Sequence, residues 1–396
     1  MPDSDVIVVG AGPAGSALAA WLGERGRRVL LLERARFPRD KVCGECLNPG
    51  ARSLLAGLGL ENALLAAGAA PFRGLRLVAP DGAIAELRYP HSAQGLTLPR
   101  TTLDALLAER ARAVSGVTLV EHATVVALVR DGTVTGVRLS DGRALSARMV
   151  VAADGRFSAL RRAYFGEAPP NPARRFCFLS TYDGGEAEDD LLECGVVASG
   201  VQYLRVYQGG GRYSICAVLD ADAKTRHAPS TVEAFHRMAL RWPRVAERIA
   251  QATPGPIKGM PLTPYAPPRL VGDGFALVGD AVGSLDPITG EGVFRALTSA
   301  RLAAETIDRA LSFPEPPSAE RLAPYEAALR ARFAPVTRFV DGVVRLTGAP
   351  APTANLLVRA LPRVPGLAPT IASVQGAMAT PEVLLHPHRW LFGRHA

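Results

Sequence analysis

Two hydrophobic periods alternate along this chain, and the places where one gives way to the other mark its elements. Residues 5–10, DVIVVG, are a nearly unbroken apolar run that reads as a strand. A glycine-rich turn follows, then the helical spacing of SALAAWLGERG, then a second apolar strand, RVLLLER. The same strand-turn-helix order recurs at VVAADGRFSALRR, residues 150–162, and at FALVGDAVGSLDPITGEGVFRALTSARLAAE, residues 275–305. Residues 72–90 and roughly 174–265 instead alternate at period two, with turns at PDG and QGGG, and predict paired strands. From Pro314 a Pro-rich connector, 314–317, leads back to helical spacing. Residues 350–385 continue as apolar stretches broken by prolines and arginines.

Composition narrows the class. At 396 residues, 48 % hydrophobic and 21 % charged, the chain is long enough for two domains with substantial cores. It has no run of about 18 uncharged apolar residues, so no membrane span is expected. No leader precedes the first strand, which makes a cytoplasmic location the expectation. The net charge of +8 does not read as a nucleic-acid patch: Lys41, Lys224 and Lys258 are the only lysines, and the arginines are scattered without interleaved aromatics. Five cysteines, an odd number, argue against a disulfide framework, and the seven histidines are dispersed, so no metal site is expected.

The first turn carries the clearest chemistry. Gly10, Gly12 and Gly15, with Pro13 and Ala14 between them, make G-x-G-x-x-G at the end of a strand. The first glycine allows the turn, the second lets backbone approach a pyrophosphate, and the third lets helix pack on strand. Glu33, with Arg34 beside it, closes the second strand 23 residues after Gly10, where an acid accepts hydrogen bonds from a ribose. This is a dinucleotide site. Gly209-Gly210-Gly211, by contrast, lies between two strands and reads as a turn, so no second dinucleotide unit is expected.

Three strand-turn elements in this order, the Gly-rich turn, Asp154-Gly155 and Gly279-Asp280, resemble the flavoprotein superfamily of para-hydroxybenzoate hydroxylase and geranylgeranyl reductase, over about residues 5–310. The resemblance implies an FAD-binding α/β domain of the glutathione-reductase type, built discontinuously from 1–70, 99–170 and 266–310. A β-sheet substrate domain, 71–98 and 171–265, would be inserted in it, and a helical segment, 311–396, would follow. It implies that Asp154 lies near the FAD and NAD(P)H pyrophosphates, and that Asp280 meets the ribityl chain. LPRTTLDALLAERA carries the family's R-x-x-L-D pattern, giving Arg100 a phosphate role. DPITGEG would place Pro287, Gly290, Glu291, Gly292 and Val293 at a helix start whose free amides face the flavin edge that gains charge on reduction. In FPRDKVCGECLNP, the resemblance puts Cys43 and Glu45 against the flavin face. Glu45 could relay protons or be an exposed loop carboxylate, and Cys43 with Cys46 also leaves a dithiol reading open.

The expected protein is an FAD-dependent oxidoreductase acting on a small hydrophobic or aromatic molecule, with NAD(P)H as reductant. In one reading it is a monooxygenase, hydroxylating or epoxidising through a flavin C4a-hydroperoxide. In the alternative it is a geranylgeranyl-reductase-like reductase or dehydrogenase at a carbon–carbon double bond. A third reading is a flavin-binding electron carrier. The reductases' aromatic strand with Trp and Pro is missing, since Tyr203-Leu-Arg-Val-Tyr207 runs into Gln208. The tryptophans, Trp21, Trp242 and Trp390, do not make a halogenase Trp-x-Trp motif. The missing aromatic strand tips the balance to oxygenation, while CGE and DPITGEG weigh toward reduction. The C-terminal helices pack on the flavin domain or cover the pocket, and peripheral membrane contact stays open.

Overall fold

A computed structural model of the chain describes residues 3–166, 175–185, 190–197 and 201–388; Trp390 and the end of the helical segment, 389–396, lie outside these, as do parts of the stretch 171–265. The first layer is a sheet whose strands run, side by side, Val271–Gly272, Phe275–Leu277, Ala144–Ala152, Ser4–Val9, Val29–Leu32 and Val117–Val120. All of these pairings are parallel except the first, Val271–Gly272 with Phe275–Leu277. Register explains why distant motifs meet. Val9 pairs with both Ala152 and Leu32, and Ala152 pairs with Leu277. The chain therefore leaves the sheet at Gly10, Glu33, Ala153 and Val278 along a single rim, the edge where open α/β sheets bind ligands. Helix Pro13–Glu24 is buried from Pro13 to Gly23 and packs against helix Gly292–Ala310.

The period-two segments form a second, mostly antiparallel sheet, ordered Thr253–Pro254, Arg175–Asp183, Arg212–Asp220, Val201–Gly209, Leu192–Val197, Gly74–Val78 and Ile84–Arg88, with Lys258–Leu262 also paired to Arg175–Asp183. A cluster including Tyr213, Phe235 and Trp242 backs it, and Trp242 stacks on Tyr203 at 4.8 Å between ring centres. Ala70–Phe72 and Cys46–Leu47 flank Gly95–Thr97 and each pair with it in a small third sheet, so the two ends of the stretch 71–98 lie there rather than in this roof. The Thr97 hydroxyl then donates to the Tyr207 carbonyl at 2.7 Å, fastening that small sheet to the roof.

The expected C-terminal helices are present as Ala319–Thr347, Ala351–Ala360 and Leu367–Gln375. The first packs on Gly292–Ala310, and the other two cover the roof's edge strand Ile84–Arg88, whose backbone would otherwise be open to pairing. No described helix is long and apolar enough to cross a membrane.

Candidate functional site

The rim is tightly built where the three motifs touch. Gly10 has φ +101°, and a Cβ there would meet the Ala153 carbonyl oxygen at 2.5 Å. A Cβ on Gly15 would fall 1.8 Å from the Gly10 carbonyl oxygen, and one on Gly279 (φ +65°) would fall 2.8 Å from the Ala14 Cβ. The Gly-rich turn is thus in van der Waals contact with both other strand ends. Gly12 differs. Its backbone is ordinary (φ −74°), and the nearest atom to a Cβ there would be Arg39 Nη2 at 3.5 Å. Nothing in the chain itself demands glycine at that point.

Around the turn, Glu33 is buried and its carboxylate accepts from the Ala11 N–H (3.0 Å) and the Ala35 N–H (3.1 Å). Arg34 beside it is exposed. Asp154 accepts from the Leu160 N–H at 3.3 Å through Oδ2, while its buried Oδ1 has no partner among the described residues. Burial raises its pKa against the hydrogen bond from Ser158. Arg100 is the first residue of helix Arg100–Arg112, where the helix dipole disfavours a cation. Its guanidinium is buried and forks onto Asp104, one turn on, at 2.9 Å through both Nε and Nη2. Both nitrogens of that fork face a carboxylate of the same helix, so the position gains its counter-charge from within. Arg39, which the sequence pattern does not single out, holds Glu33 (3.4 Å) and Asp104 (3.2 Å) and lies over Gly12.

At the other end of the rim, Asp280 sits in the one-turn helix Gly279–Val282, half-exposed and paired with Lys41 at 3.5 Å. The Gly279 N–H donates to the Ser299 hydroxyl at 2.8 Å, which locks this turn to the following helix. Pro287–Thr289 makes another short turn, Gly290 takes φ +69°, and Glu291 occupies the N-cap position of helix Gly292–Ala310. Gly292 is exposed, with open space where a Cβ would be, between buried Glu291 and buried Val293. The helix start is therefore open on one side only. Glu291 accepts from the Thr289 hydroxyl at 3.4 Å, and burial pushes its carboxyl up to about 7 against the pull of Arg295.

Gln375, from the end of the C-terminal segment, is buried here as well. It donates to the Thr289 carbonyl (3.1 Å), accepts from the Tyr89 hydroxyl (2.5 Å) and, through its own carbonyl, accepts from Asn48 Nδ2 (3.1 Å). No local signal in the sequence marks it.

The loop 37–47 closes the space between rim and roof. Glu45, a non-glycine residue at φ +60°, costs about 1 kcal/mol or more in that backbone region and is held by its neighbours. Its N–H donates to Cys43 Sγ (3.4 Å) and its carbonyl accepts from the Leu98 N–H (3.1 Å). Its carboxylate accepts from the Ser214 hydroxyl of the roof (2.7 Å) and from the Arg100 N–H (3.4 Å). Glu45 is thus bridged to the roof and is not a solvated loop acid. Cys46 lies beside Gly290, within 3.3 Å of where a Cβ would project, and burial pushes its thiol up to about 12. A thiol so protonated supplies no thiolate for dithiol exchange at neutral pH. Two cysteines far apart in sequence come together in space: Cys177 and Cys216 lie on adjacent paired strands, in one buried cluster. With Leu179, Leu262, Leu204 and Met260 the roof pair forms a buried, apolar, sulfur-rich cluster against which Val42 of the loop packs.

Residues 3–339 match the protein family described as FAD binding domain. The chain is 32 % identical to the menaquinone reductase of Mycobacterium tuberculosis over 77 % of its own length and 76 % of that protein's. It is 29 % identical to the 6-methylpretetramide 4-monooxygenase of Streptomyces rimosus over 91 % of its length and 90 % of that protein's. Its fold is similar to that of a flavoprotein/dehydrogenase from Cytophaga hutchinsonii, with a TM-score of 0.82 at 22 % identity, covering 99 % of this chain and 100 % of that one. Rim, roof and sequence agree: the chain belongs to the FAD binding domain family and is an FAD-dependent oxidoreductase.

Proposed function

We propose that this protein is an NAD(P)H-dependent monooxygenase that oxygenates a small hydrophobic or aromatic molecule between the rim and the roof. The observation that carries the FAD part is the contrast among the rim glycines. Gly10, Gly15 and Gly279 are filled around by rigid parts of the chain, whereas Gly12 meets only the tip of the Arg39 side chain and Gly292 faces open space. Those openings, with the unpartnered Asp154 Oδ1 between their motifs, fit a dinucleotide laid along the strand ends. Gly12, Gly15 and Glu33 would hold its adenosine diphosphate half, Asp280 its ribityl hydroxyls, and Gly292 and Val293 the flavin ring. Arg39, whose tip lies over Gly12, would add to the cationic part that the sequence pattern gives to Arg100. Bound FAD would supply two-electron redox chemistry and, once reduced, reaction with O2.

The protein's own contribution is positional. The amides at Gly292 and Val293 would stabilise negative charge on the ring. Glu45, tied to Ser214, would hold or pass a proton at its carboxylate, and the sulfur-rich cluster where loop and roof pack would exclude water from that side. Oxygenation is favoured over reduction because the reductases' aromatic strand is missing here, Tyr203-Leu-Arg-Val-Tyr207 running into Gln208, and because the likeness to the monooxygenase covers 91 % of the chain against 77 % for the reductase. The Cys-Gly-Glu loop and the Thr-Gly-Glu-Gly turn support reduction of a carbon–carbon double bond as the second reading.

The test is turnover of the FAD-loaded protein with NADH or NADPH and a panel of aromatic and polycyclic compounds under ¹⁸O2. A product carrying one labelled oxygen is expected; an unlabelled product gaining two hydrogens, formed equally well without oxygen, would replace this reading by the second. Asp280→Ala is expected to lower FAD retention about tenfold or more by removing the ribityl acceptor, read as flavin per protein after gel filtration. A variant that stays fully loaded would remove Asp280 from the site.

A further inference from the structure

The short helix Ala351–Ala360 leaves leucines in the open. A surface helix ordinarily buries its apolar stripe and shows its polar one. Here two polar side chains tie the helix to the hairpin turn before strand Ile84–Arg88: Asn355 Oδ1 accepts from the Asp81 N–H at 3.3 Å, and Arg359, itself exposed, pairs with the Asp81 carboxylate at 2.9 Å. Ala354, on the same side, is buried. At 100° per residue the opposite side carries Pro352, Thr353, Leu356 and Leu357, all exposed, with Leu356 at 68 % and Leu357 at 40 %. Leu346, at the end of the preceding helix, is 52 % exposed, and Leu385, after the last helix, is 77 % exposed.

The charge pattern around this face is one-sided. The whole chain carries 37 Asp and Glu in 396 residues, yet from Gly342 to Pro381 there is none, while Arg345, Arg359 and Arg363 occur. Arg345 and Arg363 are exposed. Exposed leucines flanked by Arg345 and Arg363, in a stretch with no carboxylate of its own and beside an Asp81 neutralised by Arg359, match the chemistry of an acidic lipid surface. A ten-residue helix is too short to span a bilayer, so contact is confined to the interface. A second copy of the chain fits less well, because a two-fold contact through this face would bring its arginines against their own copies.

We propose that the outward face of helix Ala351–Ala360, with Leu346, Arg345 and Arg363, docks the protein on membranes rich in anionic phospholipid. This does not depend on which reaction the flavin performs.

The test is flotation of the FAD-loaded full-length protein with vesicles of phosphatidylcholine alone, or with about one third phosphatidylglycerol. Binding to the anionic vesicles at least tenfold above that to the neutral ones is expected, with most of it lost in roughly 0.5 M salt. Leu356→Ser with Leu357→Ser, and separately Arg345→Glu with Arg363→Glu, should each reduce binding about tenfold while flavin content and melting temperature stay at the wild-type values. Absence of vesicle binding by the wild type, or binding that both variants retain, would overturn the proposal. So would light scattering that shows a dimer dissolved by the double serine variant, which would make the face a contact between copies.

Discussion

Gly12→Val is expected to purify folded and colourless, while Gly15→Val is expected not to fold. Both lie in one glycine-rich turn, but different partners exclude a side chain from them. At Gly15 the excluding atom is the Gly10 carbonyl oxygen, 1.8 Å from any Cβ, so the first strand and first helix must separate. Overpacking of that kind at a backbone contact costs about 3 kcal/mol or more. At Gly12 the nearest atom is Arg39 Nη2, 3.5 Å away at the tip of a long side chain, so a valine meets nothing rigid until a ligand arrives. Circular dichroism and melting should therefore place Gly12→Val with the wild type, while its flavin absorbance falls below about one tenth of the normal ratio to protein. A yellow Gly12→Val protein would show that the pyrophosphate does not pass this glycine.

Glu291→Gln is expected to flatten part of the pH dependence of stability. The folded protein holds the Glu291 proton up to about pH 7, because burial disfavours the carboxylate, whereas the unfolded chain releases it near 4.5. Between those values the folded state binds more protons, so its stability falls as pH rises. Below 4.5 both states hold the proton, and above 7 neither does. At about 1.4 kcal/mol per tenfold change in proton affinity, that loss is roughly 3 kcal/mol across the window. The neutral amide should remove it, so flavin-free Glu291→Gln should melt like the wild type near pH 4.5 and well above it at pH 7. Parallel melting curves for the two proteins from pH 4.5 to 7 would mean that Glu291 is ionised in the folded state.

The rim was legible in the sequence because its signals are local. An apolar run stops, a glycine or Asp-Gly pair turns the chain, and a helix begins; three such events predict three neighbouring strand ends, and register then aligns Val9, Ala152, Leu32 and Leu277. The period-two segments likewise announced the roof. What stayed hidden is set by tertiary contact. Arg39 sits in a polar loop that looks like any other, and only folding lays it over Gly12. Arg100 matched a family pattern, yet its side chain turns to Asp104, a partner visible in the sequence at helical spacing. Cys177 and Cys216 are 39 positions apart, and strand pairing alone brings them together. Glu45 stood between two readings until the roof's Ser214 supplied the hydrogen bond that lifts it out of solvent.

Gln375 sets an order of assembly. Its three hydrogen bonds join Thr289 of the cofactor turn, Tyr89 beside the roof and Asn48 of the third-sheet loop. None can exist until the chain has been made past residue 375. A nascent chain can pair its strands up to Ala152 and form the glycine turn first, since domains settle from the N-terminus as they emerge. The turn at Thr289 waits for a carboxamide made 86 positions later, so the fastening of the flavin end of the rim follows the building of its nucleotide end.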